Sequence, residues 1–315
     1  MPQKHFRKNI LAEPVPTYGY NQQKRDPYFI DPLSDPGFKR LFGAEQSKAL
    51  AITFLNHVLQ GKRQVTSLEF LKNEYPGETK EEGAAVIDMV CKDQNGAYFI
   101  VEMQRNRHRN FKERSLFYAS RLITEQAPHG NRKEWGYALK DVYIIAVLEN
   151  FTVQSDNTAQ WLHDVALVNT ATAKIFSERL HFTYIELPFF NKKEDQLENG
   201  LENWVYALKN LKRLKQIPTV FTEPDLIQFC QAARYINLTK EEKNMISAKT
   251  KARWDYYAAI GGAKDEGEEI GEARGEARGI YKKAVEMASR LKAEGFNIDK
   301  IAEYTGLSVN EVEDL

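Results

Sequence analysis

The sequence predicts an α/β protein: a mixed sheet flanked by helices, followed by a helical extension. Three observations carry this. Short apolar runs rich in Val, Ile and Tyr fall between residues 65 and 187, and Asp141 to Leu148 is the longest of them. Helical spacing of apolar residues alternates with these runs. From Lys192 onward only helical spacing remains, as in Leu197, Leu201, Trp204, Val205, Leu208 and Leu211.

The elements follow in order. Residues 1–30 hold Pro14, Pro16, Gly19 and Pro27 and are expected to form an irregular arm. Turn formers cluster from Asp31-Pro32 to Pro36-Gly37, and Leu50, Phe54, Leu55, Val58 and Leu59 then mark a helix that Gly61 ends. Val65 to Leu71 and Ala84 to Cys91 read as strands. Asp93-Gln94-Asn95-Gly96 is a hairpin signal, and Ala97 to Gln104 is the returning strand. Residues 109–126 suit a helix, Asp141 to Leu148 a central strand, and His163–Asn169 and Phe182–Leu187 two more. These elements make one domain over residues 31–190, with a helical extension over 191–262.

Residues 263–279 repeat Gly every four positions from Gly267 to Gly279 with Glu and Arg between, and are expected to be a linker or helix. Each interior Gly costs a helix about 1 kcal/mol, which favours the spacer. Residues 280–315 regain amphipathic character around Gly306 and Ser308, a small helix-turn-helix-like unit. Its last segment carries Glu311, Glu313 and Asp314, which would repel phosphate.

Composition bounds the function. The 315 residues hold 44 basic and 44 acidic side chains, which argues against bulk coating of nucleic acid but not against a local basic groove. Two cysteines, Cys91 and Cys230, cannot make a disulfide framework, and no apolar run is long enough to span a bilayer. A cytoplasmic protein with no membrane association is expected. Phosphate loops, zinc spacings of the six histidines and a nucleophile elbow are all missing.

The hairpin carries the chemistry. Glu102 and Gln104 are two apart on one strand and share a face, and the turn register sets Asp88 across from Glu102. Adjacent carboxylates repel unless one is protonated or a cation lies between them. Mg²⁺, or Mn²⁺ in its place, is the natural partner of oxygen ligands. Directly after this strand, Arg105, Arg107, Arg109, Lys112 and Arg114 supply five basic residues within ten positions, a surface for phosphate. Lys39 is assigned to the same surface.

An acid, a turn and then Glu102-Met103-Gln104 resembles the second and third motifs of PD-(D/E)XK nucleases. Asp35-Pro36-Gly37-Phe38-Lys39-Arg40-Leu41-Phe42-Gly43 ahead of the first long helix, and Arg114, Tyr118 and Gln126 after the strand, extend the likeness. In order and spacing the chain resembles the recombination-promoting nuclease and transposase family, a bacterial branch of that superfamily, over about residues 31–190. The resemblance implies a restriction-endonuclease-like core and a metal-dependent DNA endonuclease linked to recombination or mobile elements. It implies Asp88 and Glu102 as metal-binding acids, and Gln104 where most of the superfamily has lysine. Glutamine carries no charge and is no base, and Lys92 is one alternative cation. The first-helix acid is either Glu45 or Asp35. Two other readings compete: a weak or inactive DNA-binding relative, and a helical oligomerisation protein with a remnant nuclease domain. A homodimer through the C-terminal helices is expected if both strands are cut.

Overall fold

The computed structural model describes residues 27–75, 85–107, 109–128, 135–153 and 160–315. The arm up to residue 26, Ala84, His5, His108 and His129 lie outside these described residues. The chain divides into two compact units, Met1–Lys243 and Asn244–Leu315.

The first unit opens with helix α1, Asp35–Leu41. The Ser34 hydroxyl accepts from Gly37 N–H at 3.2 Å, which caps it. A Cβ on Gly37 would lie 2.1 Å from the Asp31 carbonyl oxygen, so the turn tolerates glycine alone. Helix α2, Lys48–Leu59, follows. Then come β1 (Leu68–Phe70), the short pair β2 (Glu74–Tyr75) and β3 (Ala85–Val86), β4 (Met89–Asp93) and β5 (Tyr98–Gln104). Helix α3, Phe111–Glu125, leads to β6 (Val142–Leu148), β7 (Leu162–Val168) and β8 (Ile175–Glu186).

Six strands form one mixed sheet in the order β1-β4-β5-β6-β8-β7. β5, β6 and β8 are parallel neighbours, and antiparallel strands complete both sides. β6 is buried along its whole length, as its unbroken apolar run requires. β2 and β3 form a separate two-stranded sheet that the sequence reading did not anticipate.

Alternation along the strands decides which side chains meet α3. Ile100, Val142, Ile144, Ala146, Phe182 and Tyr184 pack with Phe111, Tyr118, Ala119 and Leu122 of α3. The β4–β5 turn is fixed locally: Gly96 adopts φ +83°, and the Asp93 carboxylate accepts from Asn95 and Ala97 N–H, each at 2.9 Å. Asp93 itself is held by Arg63 at 2.5 Å.

Helices α4 (Gly200–Asn210) and α5 (Pro224–Ala232) belong to the first unit. Trp204 of α4 and Phe229 of α5 meet Phe42 and Phe54 in an aromatic cluster with centroid separations of 5.1–6.2 Å. Strand-like hydrogen bonds join Ile30 N–H to Ala233 O at 2.8 Å and Tyr235 N–H to Tyr28 O at 3.0 Å.

Helix α6, Lys240–Ala293, runs unbroken through the Gly/Glu/Arg segment. That segment is helix here, the other of the two expected forms. In the second unit, α7 (Ile298–Thr305) and α8 (Val309–Glu313) are joined at Gly306, whose φ is +73°. Ala288, Ile301, Leu307 and Val312 form a small core, and Ser308 and Glu311 cap α8 reciprocally. Lys292 Nζ donates to the carbonyls of Val312 and Glu313 at the end of α8.

Candidate active site

Met89 pairs with Val101 in the β4–β5 register, so Asp88 falls opposite Glu102. The Met103 N–H donates to Asp88 Oδ2 at 2.8 Å, which holds that carboxylate against β5. Glu102 is 4% exposed, and its Oε1 is buried with no hydrogen-bond partner among the described residues. Burial first, and then the neighbouring Asp88 charge, push the Glu102 carboxyl up to about 8. Burial also raises Asp88, with Asp35 acting in the same direction and the Met103 N–H opposing. The pair is an electrostatic conflict that the protein's own groups relieve only in part.

Arg114, in the first turns of α3, supplies the partial relief. It donates to Glu102 Oε2 at 3.4 Å, to Gln104 Oε1 at 3.3 Å and to the Tyr118 hydroxyl at 2.8 Å. Its guanidinium lies 5.1 Å from the Tyr118 ring centroid. Gln104 in turn donates from Nε2 to the Asn106 carbonyl at 2.9 Å.

A cleft of about 220 Å³ opens at this end of β5, lined by Leu33, Asp35, Phe38, Asp88, Met103, Gln104, Arg105 and Asn106. Of the two first-helix acids, Asp35 therefore shares the cleft with Asp88. Glu45 stands apart, in a short 3-10 turn, paired with Lys48 at 2.5 Å and largely exposed. Lys39 is exposed and paired with Asp35 at 3.0 Å.

The basic run divides. Arg107, Arg109 and Lys112 are exposed. Arg105 turns inward: it meets Glu149 and Asp31, each at 2.5 Å, and Lys212 completes the group at 2.5 Å from Glu149. Burial opposes the Arg105 charge, but the two carboxylates outweigh it and raise its pKa; burial likewise opposes the Glu149 charge, and Arg105 with Lys212 lowers that carboxyl. The sequence reading did not single out Asp31 or Glu149 as partners, since both are distant in the chain. Two further positions lie away from the acid pair. Lys92 pairs with Tyr98 across the hairpin and sits 5.5 Å over its ring. Gln126 is bound to the backbone of Lys140 beyond the far end of α3.

Among the described residues no three of His, Cys, Asp and Glu are grouped so as to hold a metal ion. Two carboxylates still fit Mg²⁺, which keeps several waters and commonly takes one or two carboxylates plus substrate phosphates. The unpartnered Glu102 Oε1 beside Asp88 is an oxygen donor of the kind a hard cation takes. Among the described residues no helix is long and apolar enough to cross a membrane. The sequence profile of the PD-(D/E)XK nuclease family transposase matches residues 32–263. No curated protein and no solved structure matches.

Proposed function

We propose that this chain, which belongs to the PD-(D/E)XK nuclease family transposases, is a divalent-metal-dependent DNA endonuclease acting in recombination or on mobile elements. The observation that carries the reading is the pair of half-buried Asp88 and buried Glu102, in register, with Glu102 Oε1 unpartnered. These two acids would hold Mg²⁺ or Mn²⁺, and of the two first-helix acids it is Asp35, not Glu45, that lines the cleft beside Asp88. The bound ion supplies Lewis-acid polarisation of the phosphodiester and a more acidic water.

The chain's own groups do the rest. The Met103 N–H fixes Asp88 Oδ2 and so holds that carboxylate against β5, where it would help hold the ion. Gln104 carries a second Nε2 hydrogen beyond the one given to Asn106, and it orients a water or a phosphate oxygen. Arg107, Arg109 and Lys112 meet the flanking phosphates and give salt-dependent, largely sequence-independent affinity. Arg105 contributes by holding the cleft wall together through Asp31 and Glu149.

One such site cuts one strand, so the enzyme acts as a homodimer through its C-terminal helices, and light scattering of the full chain tests this. A cytoplasmic location suits the free, buried Cys91 and Cys230. The decisive experiment is nicking of supercoiled plasmid with Mg²⁺ or Mn²⁺. Wild type nicks, and folded Asp88→Ala and Glu102→Ala proteins do not. Salt-sensitive DNA binding with no nicking under either ion favours the second reading, an inactive DNA-binding relative, to which the neutral Gln104 lends support.

A further inference from the structure

We propose that Arg114 is the phosphate-facing cation of this site, and that Gln104 is neutral because Arg114 already holds the charge a lysine at position 104 would bring. The inference rests on the nuclease reading and names a residue of the same site.

The hydrogen bonds define the arrangement. Arg114 Nε donates to Tyr118, one terminal nitrogen to Gln104 and the other to Glu102. A guanidinium has five N–H groups, so two remain that these bonds do not use. They form part of a planar fork suited to phosphate oxygens. The Glu102 contact, at 3.4 Å, is longer than the usual charge-assisted bond of about 2.7–2.9 Å. Arg114 is thus placed beside the acids without being locked to them. Tyr118, buried and one helical turn on, sets the guanidinium plane from behind.

Gln104 fits this arrangement in one amide orientation. Its oxygen accepts from Arg114 and its nitrogen donates to Asn106 O. Lysine offers three donors and no acceptor. At position 104 it would set a like charge against Arg114 at the place where the amide oxygen now accepts. Restoring the residue common in the superfamily should therefore impair this enzyme.

The test uses the full chain as wild type, Arg114→Gln, Gln104→Lys and the double swap. Four quantities are read: plasmid nicking, Mn²⁺ affinity by calorimetry, the melting temperature and the salt dependence of DNA binding. Arg114→Gln should lower nicking ~100-fold or more and reduce the salt slope by about one. It should also bind Mn²⁺ several-fold more tightly, since a like charge has left the acids. Gln104→Lys should nick at least ~10-fold more slowly, and the double swap should recover most of that loss, by the pair logic of a double-mutant cycle. A structural Arg114 gives the opposite pattern, with weaker Mn²⁺ binding alongside a lower melting temperature and no recovery in the swap, which overturns the proposal. If wild type does not nick at all, the nuclease reading fails by itself. Arg114 is then judged by DNA binding: an unchanged salt slope overturns its role, and a slope smaller by about one supports it.

Discussion

Glu102 couples the site to pH. Its folded-state pKa of about 8 lies above the ordinary 4.5, chiefly through burial. Below 4.5 both folded and unfolded chains carry the proton, and nothing is lost. As pH rises toward 8 the unfolded chain releases it while the folded chain keeps it, so stability falls across that window. Metal-free protein should lose on the order of a few kcal/mol there, and Glu102→Gln should flatten the curve. Denaturant midpoints against pH in chelator measure this, and parallel curves for the two proteins would refute it. Arg105 and Arg107 give a second contrast. Arg105→Met leaves Asp31 and Glu149 to share Lys212 and should cost about 2 kcal/mol. Arg107→Ala should change stability by less than about 0.5 kcal/mol and weaken DNA binding. The acid pair was legible in the sequence because one turn sets its register. The inward turn of Arg105 was not, because its partners are 74 and 44 residues away and a basic run does not say which cation they meet.

Elements were legible where a local rule dominates. The Asp93–Gly96 turn, the β6 apolar run and the α3 stripe each came from short-range pattern. β8 runs from Ile175, earlier than expected, because its first half pairs only with β7 and is largely exposed, so no apolar run announces it. The small β2–β3 sheet gave no signal of its own, each strand being two residues long. The Asp-Pro-Gly-Phe motif acquires a mechanical reason in the approach of the Asp31 carbonyl to Gly37. Gly37→Ala should cost about 2 kcal/mol, by analogy with overpacking, and should also lower nicking by shifting Asp35. Thermal melts and the plasmid assay check both, and an unshifted melt would sink the close-approach argument. In α6 the glycine spacing pointed to a spacer, yet the segment is helical. A Cβ at Gly271 or Gly275 would meet nothing within 4 Å. Alanine at both should therefore raise helix stability by about 1 kcal/mol each, visible as increased helical circular dichroism.

At the scale of the molecule, the balance of 44 basic and 44 acidic residues is a sum over unlike parts. Arg107, Arg109 and Lys112 are exposed and follow directly after β5 in the chain, while Asp265 to Glu276 and the last helix are acidic. Cleavage by such a protein should be strongly salt-sensitive although its net charge is zero. Raising salt from 50 to 200 mM should slow nicking on the order of 10-fold or more, with melting temperature unchanged. A rate indifferent to salt would deny the basic surface any part in binding.

The hydrogen bonds between Tyr28–Ile30 and Ala233–Tyr235 fasten the first described residues of the first unit to its last segment. In connectivity residues 28 to 235 thus make a nearly closed ring. A ring of that kind can be cut open elsewhere and rejoined where residues 28 and 235 meet, without redrawing its interior. The same fastening is a contact between residues some two hundred apart, and its first strand-like residues find their partner only when the last have been made.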